Sequence, residues 1–244
     1  MSRSTDVNPR PRLLDLFCGA GGAAMGYHRA GFDVVGVDLS PQPNYPFEFH
    51  QGDALEALDG CLSGLFERDF DVIHASPPCQ DYVQWNNLNA VKWGNRVEHP
   101  RLIGPVRERL RDIGLPYVIE NVVGSELDQP TMLCGSMFGL NVRRHRLFES
   151  SMLLMRPQRC RHTRREIAVY GKLDGRRIWT RVDGSEVRAA RTIEQAREAM
   201  GIDWMTWDEI KEAIPPAYTQ FLGEQFVEAV ASPSCRRATR CASR

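Results

Sequence analysis

Three short stretches of this sequence carry groups that can do chemistry together. Ser76-Pro77-Pro78-Cys79-Gln80 presents a thiol after two consecutive prolines, which stiffen the backbone, remove two donors and fix where the following side chain points. A lone cysteine is ordinarily a small buried hydrophobe, and Cys61 and Cys134 are read that way; at Cys79 the rigid turn favours a nucleophile. Glu120-Asn121-Val122 supplies a carboxylate able to donate or accept a proton. A soft nucleophile beside such an acid suits addition to an electron-poor ring. The third stretch, Cys18-Gly19-Ala20-Gly21-Gly22, is a glycine turn that lets the backbone approach a ligand at a helix N-terminus, and Asp38 can accept hydrogen bonds from ribose hydroxyls. Its spacing is not G-x-G-x-x-G and no Walker lysine follows, so a tight structural turn stands as an equal reading. Asp53, in Gly52-Asp53-Ala54, is either a reader of an adenine amine or a helix cap.

These groups need a scaffold that gathers them. Leu13 to Phe17, Val34 to Asp38, Phe47 to Gln51, Asp71 to Ala75 and Tyr117 to Ile119 read as five short strands. Helical stretches such as Ala23 to Ala30, closed by Gly31, and Pro105 to Ile113 lie between some of them. Strands alternating with helices imply an α/β fold: a doubly wound, mainly parallel sheet covered on both faces, with ligands at the carboxyl ends of the strands. The fourth and fifth strands are commonly neighbours in such a sheet, which would bring Cys79 and Glu120 into one pocket. From Ser151 to Val187 the chain becomes Arg-rich, with Cys160, His162, Tyr170 and Trp179 interleaved and Gly171, Gly175 and Gly184 at turn positions. It reads as a small insertion. Helices follow: one from Thr192, one capped by Thr206 with Glu209 at its third position, and one opening at Pro215-Pro216 that aligns Tyr218, Phe221, Leu222, Phe226, Ala229 and Val230. The expected units are therefore residues 1–150, the insertion 151–187, returning helices 188–231 and a mobile basic tail 232–244.

The chain has 244 residues, 42 % of them hydrophobic, and 31 Lys plus Arg against 31 Asp plus Glu. That neutrality is a cancellation. Arg143 to Arg191 holds 14 basic residues against 5 acidic, and the remainder 17 against 26. The excess of arginine over lysine, interleaved with Tyr170 and Trp179, suits a phosphate-tracking and base-stacking surface; a solvated loop is the blander reading. Neither a membrane span nor a secretory signal is visible, so a cytoplasmic location is expected. Seven cysteines without C-x-x-C spacing argue against a disulfide framework and a structural zinc site. Cys160 and His162 are two ligands, which do not make a site, and no metal is expected. His74 and His145 read as packing or hydrogen-bonding residues.

Taken in order, the three motifs resemble those of the cytosine-5 methyltransferases that use S-adenosylmethionine. Asp15-Leu16-Phe17-Cys18-Gly19-Ala20-Gly21-Gly22 is similar to the family's cofactor loop, Pro77-Pro78-Cys79-Gln80 to its nucleophile turn, and Glu120-Asn121-Val122 to its acid motif. Arg144-His145-Arg146-Leu147-Phe148 resembles its Gln-x-Arg-x-Arg strand, and Arg191-Thr192 to Trp204 the helix that supports its recognition region. The resemblance implies Cys79, Glu120, Arg144 and Arg146 as catalytic groups. It implies Phe17, Cys18, Gly19, Gly21, Gly22, Asp38, Leu39, Asp53 and Pro77 around S-adenosylmethionine. Gln80 would help fill the gap left by a flipped base, and Arg164, Arg165, Arg176 and Arg177 of the insertion would contact double-stranded DNA. A monomer is expected, with no membrane partner. Three departures stand out: Val142 replaces the Gln, Lys211-Glu212-Ala213-Ile214-Pro215-Pro216 replaces Gly-Asn-x-Val-Pro-Pro, and 37 residues from Ser151 to Val187 replace a much larger recognition domain. The last implies short or relaxed sequence specificity. RNA as the substrate, transfer of a modified one-carbon group, and a binding protein without turnover remain the alternatives.

Overall fold

The computed structural model describes residues 9–63, 70–79, 100–155, 157–162, 166–173, 175, 178–180 and 186–231. The five expected strands form β1 (Arg12–Leu16), β2 (Asp33–Asp38), β3 (Glu48–Gln51), β4 (Val72–Ala75) and β5 (Tyr117–Asn121), all parallel to their neighbours in this set. Two further strands, β6 (Thr131–Leu133) and β7 (Arg146–Ser150), add antiparallel pairs at the β5 side. The order is β3-β2-β1-β4-β5-β7-β6. Strand order reverses between β1 and β4, which opens a crevice at their carboxyl ends. The glycine turn follows β1 and the Cys79 turn follows β4, so both sit at that switch point. The expected adjacency of the fourth and fifth strands is also present, with Ala75 paired to Ile119.

Period-two alternation divides the strand side chains between two faces. On one face Leu13, Val34, Val72 and Val118 pack with Tyr27 of α1 (Gly22–Ala30) and with Tyr218, Leu222 and Phe226 of a long C-terminal helix. On the other, Leu14, Val35, Ile73 and Ile119 pack with Leu58 of α2 (Ala54–Ser63) and with Val106 and Leu110 of α3 (Ile103–Ile113). This is the doubly wound arrangement. Three helices follow the insertion: α4 (Ile193–Met200), α5 (Trp207–Ile210) and the long α6 (Pro216–Ala231). The Thr206–Glu209 capping box forms, with the Thr206 backbone N–H donating to Glu209 at 2.7 Å. Helices α1 and α6 touch backbone to backbone because Gly26 has no side chain; a Cβ there would lie 2.0 Å from Thr219 Oγ1.

The insertion carries its own three-stranded sheet, β8 (Ile167–Ala168), β9 (Ile178–Thr180) and β10 (Glu186–Ala189), in the order β8-β10-β9. Its last strand runs two residues past Val187. A third core joins the insertion to the helices behind it: Val169 and Ala190 pack with Ala196, Met200, Met205 and Ile210, and with Val142 from the catalytic side. Gly171 and Gly175 hold left-handed turns (φ 74 and 59°), as their turn positions require; Gly184 and the tail 232–244 lie outside the described residues. No helix among the described residues is long and apolar enough to cross a membrane.

Candidate active site

The glycine turn is built by the crossing of β1 into α1. Phe17 adopts φ 56°, a left-handed conformation that costs a non-glycine residue energy and is usually kept where a ligand site needs it. The three glycines have different reasons to be there. At Gly21 a Cβ would lie 2.7 Å from Pro46, and at Gly22 2.5 Å from the Ile214 carbonyl, so packing excludes side chains at both. Gly19, at φ 49°, faces open space and is the position where a ligand can meet bare backbone. Asp38 accepts the Gly19 N–H at 3.0 Å and the Ser40 N–H at 3.0 Å, which ties the turn to the end of β2. Next to it Leu39 is 69 % exposed, an apolar side chain aimed outward at the crevice edge. Asp53 caps α2: its Oδ1 accepts from the Leu55 and Glu56 N–H groups at 2.7 and 3.1 Å. The helix-cap reading is thus correct for one of its two oxygens. Beneath the turn, Asp15 is fully buried, and burial together with Asp38 raises its pKa well above the usual carboxylate range.

The Pro77–Cys79 turn and the end of β5 are locked together. Asn121, buried at the end of β5, donates its side-chain amide to the Pro77 carbonyl at 2.9 Å. Pro77 is buried, while Cys79 is half-buried at the turn's end. Glu120 is 6 % exposed, and its Oε1 has no well-aligned hydrogen-bond donor although Arg146 Nε lies 3.1 Å away. A buried acceptor in that state stands ready for a donor supplied by a ligand. Burial raises the Glu120 pKa, and Arg146 and Arg144 oppose that rise. Burial also raises the Cys79 pKa; Arg146 opposes it, while Glu120 adds to it. The net direction is upward, so the lowering by Arg146 does not outweigh burial.

A hydrogen-bonded chain runs behind Glu120. The Tyr27 hydroxyl meets His74 Nδ1 at 3.0 Å, His74 Nε2 meets Ser76 Oγ at 2.9 Å, and Ser76 in turn hydrogen-bonds Glu120. Burial pushes the His74 pKa down to about 3, so the ring is neutral, and burial keeps the Tyr27 hydroxyl protonated. The neutral ring carries one proton, so it donates to one of Tyr27 and Ser76 and accepts from the other. His74 is therefore a hydrogen-bonding residue, as read from the sequence, and its target is the site.

The two arginines differ. Arg146 pairs with Glu120, whereas Arg144 is 7 % exposed and donates to the carbonyls of Lys211 and Val169, and the Tyr218 hydroxyl donates to the Arg144 carbonyl at 2.6 Å. Burial lowers the Arg144 pKa to about 9. Arg144 thus ties the altered Lys211 to Pro216 segment to the strand that carries Arg146. Beside them is a cleft of about 210 Å³ whose lining includes Arg144, Arg146, Tyr170 and Lys211. Val142 is 2 % exposed and occupies the core, which accounts for an apolar residue there. Sequence reasoning did not single out Trp204 as a support of the glycine turn; its indole N–H donates to the Ala20 carbonyl at 2.8 Å. Gln80, Arg164, Arg165, Arg176 and Arg177 lie outside the described residues.

Residues 12–94 match the family model for the C-5 cytosine-specific DNA methylase. The type II methyltransferase M.AgeI of Thalassovita gelatinovora is 26 % identical over 182 residues, which are 68 % of this chain and 41 % of that protein. The type II methyltransferase M.XorII of Xanthomonas oryzae pv. oryzae is 34 % identical over 88 residues, 30 % of this chain and 20 % of that one. The chain therefore spans less than half the length of these two relatives. Among solved structures, a chain assigned as a prophage-encoded DNA modification methyltransferase from E. coli superposes with a TM-score of 0.59 at 14 % identity, covering 91 % of this chain and all of that one. The S. pombe Dnmt2 methyltransferase does so at 0.53 and 12 %, with the same coverage. These two likenesses are of fold.

Proposed function

We propose that this chain is a cytosine-5 DNA methyltransferase that transfers a methyl group from S-adenosylmethionine to carbon 5 of cytosine in double-stranded DNA and acts as a monomer; the match of residues 12–94 to the family model and the likeness to type II methyltransferases support this reading. The observation that carries this reading is the placement of Cys79 after β4 and Glu120 at the end of the neighbouring β5, with Arg146 Nε 3.1 Å from a Glu120 oxygen that lacks a well-aligned donor.

The crevice fits the cofactor. Gly19 offers bare backbone to its amino-acid end, Asp38 stands at the end of β2 for ribose hydroxyls, and Asp53 retains one oxygen beyond its helix-cap role for an amine. Exposed Leu39 at the end of β2 and Phe17 at the end of β1 would contribute apolar contacts, and Pro77 belongs to the neighbouring turn. When bound, S-adenosylmethionine supplies an electrophilic methyl on its sulfonium. The protein's part is to make carbon 5 of the base nucleophilic. The Cys79 thiolate adds to carbon 6, the C5–C6 π pair moves toward carbon 5, and Glu120 holds the proton at N3 and the 4-amino group, for which a carboxyl with a raised pKa is suited. Arg146 holds the carboxylate in place and attracts the thiolate. After transfer, loss of the carbon 5 proton returns the electron pair and breaks the sulfur–carbon 6 bond. Inside a duplex the base is out of reach, so it must be flipped out; Gln80 is proposed to fill the gap it leaves, and Arg164, Arg165, Arg176 and Arg177 to contact phosphates. The short insertion supports short or relaxed sequence specificity, and bisulfite sequencing of DNA modified in a methylation-free host reads that directly.

The decisive assay uses a duplex containing 5-fluorocytosine, in which the final proton loss is blocked. With S-adenosylmethionine a denaturation-resistant protein–DNA adduct is expected, and Cys79→Ser abolishes it. Bound DNA without an adduct would instead identify a binding protein, and an adduct only with the matching RNA would move the substrate class.

A further inference from the structure

Cys134, His145, Cys160 and His162 reach one point from three separate stretches of chain. Cys134 follows β6, His145 precedes β7, and Cys160 and His162 belong to the start of the insertion. One ligand atom from each lies within 4.8 Å of all the others. Two of these separations are short: His162 Nε2 is 3.5 Å from Cys134 Sγ and 3.2 Å from His145 Nε2. One ring proton on His162 Nε2 can serve only one of those neighbours, so hydrogen bonding alone leaves the convergence half explained. A metal explains both. Zinc bonds of about 2.0–2.1 Å to nitrogen and about 2.3 Å to sulfur place tetrahedral ligand atoms roughly 3.3–3.8 Å apart, close to both separations.

We propose that these four side chains form a closed Cys2His2 zinc site that clamps the Arg-rich insertion to the catalytic domain. Two thiolates and two imidazoles select zinc over magnesium or calcium, which take oxygen ligands. Four protein ligands leave no open coordination position, so the site is structural. Cys134 is fully buried, and its sulfur receives the Ser136 hydroxyl at 3.4 Å as well as the Ser136 backbone N–H, the hydrogen bonds that orient a ligating thiolate. His162 is exposed and gives the ion a way in. His145 stands between Arg144 and Arg146, so ligation at His145 fixes the backbone from which both arginines project. The sequence spacing, Cys-x10-His-x14-Cys-x-His, lacks the C-x-x-C pair by which such sites are usually found. This revises the expectation of no metal, which counted Cys160 and His162 alone.

The test is made on the full chain and does not depend on methyl transfer. Protein purified in zinc-containing buffer should carry one equivalent of zinc. After stripping with a chelator and titration with Co2+, it should develop the intense d–d bands of tetrahedral cobalt and a thiolate-to-cobalt charge-transfer band, saturating at one equivalent. Cys160→Ser and His162→Ala should each weaken metal binding by about tenfold or more, with the circular-dichroism spectrum retained because both positions lie toward the surface. Cys61→Ser, remote from the cluster, should bind as the unaltered chain does. Absence of bound zinc together with no charge-transfer band overturns the site, as does a cobalt spectrum that survives both ligand substitutions.

Discussion

Arg146 acts on the Cys79 thiol against the thiol's own burial, and the balance between them is open to measurement. Removing the cation removes a lowering influence, so Arg146→Ala should shift the pH midpoint of Cys79 alkylation by iodoacetamide upward, and Arg146→Lys should shift it less. An unchanged midpoint would mean that Arg146 serves Glu120 alone. Glu120→Gln keeps the shape but cannot hold the N3 proton, and should lower kcat by about a hundredfold or more in methylation of a duplex. His74 gives a stability prediction with a defined sign. Its ring is neutral in the fold, with a pKa of about 3, against about 6.5 in the unfolded chain. The unfolded chain therefore binds an extra proton between those values, and this contribution to stability is intact above pH ~6.5 and lost as the pH falls toward 3, at up to about 1.4 kcal/mol per pH unit. His74→Gln, which cannot take up that proton, should flatten the acid limb of stability in urea titrations at a series of pH values.

At the scale of elements, the site depends on how closely α1 and α6 lie and on how the glycine turn is braced. Gly26→Ala would put a methyl within 2.2 Å of the Pro216 carbonyl as well as against Thr219. It should cost about 1–3 kcal/mol, seen as a lowered midpoint in chemical denaturation. Trp204→Phe keeps an aromatic side chain but deletes the donor to the Ala20 carbonyl. It should weaken S-adenosylmethionine binding in calorimetry by about tenfold, as expected for a lost hydrogen bond of ~1.4 kcal/mol, with the chain still folded. Four of the five parallel strands, β1, β2, β4 and β5, were legible as largely apolar runs, because a strand buried on both faces needs apolar residues, whereas β3 at the sheet edge is mostly exposed and polar. Strand β6, only three residues long, has no such signature: it is held by pairing with β7, a partner set by the fold. Of the three loop glycines, the sequence could not tell which faces open space and which face Tyr45, Pro46 and Ile214.

Over the whole molecule, the equal numbers of acids and bases conceal a division of charge between the insertion region and the rest. Counterion release makes that division measurable. Replacing Arg164, Arg165, Arg176 and Arg177 by Gln should reduce the slope of log affinity against log salt for a non-specific duplex by up to about 3–4, and an unchanged slope would place the phosphate contacts elsewhere. The sequence by itself determined the order of the motifs and their placement at strand ends. In a parallel sheet that is sufficient to bring them to one edge, since every strand's carboxyl end lies on the same side. Tertiary structure decided what no local spacing encodes: Asn121 holding Pro77 across 44 residues, Trp204 holding Ala20 across 184, and Cys134 meeting His162 across 28. Such contacts join residues that become neighbours only after the chain has folded back on itself. Their signal is a distance in space, and one sequence records only distance along the chain.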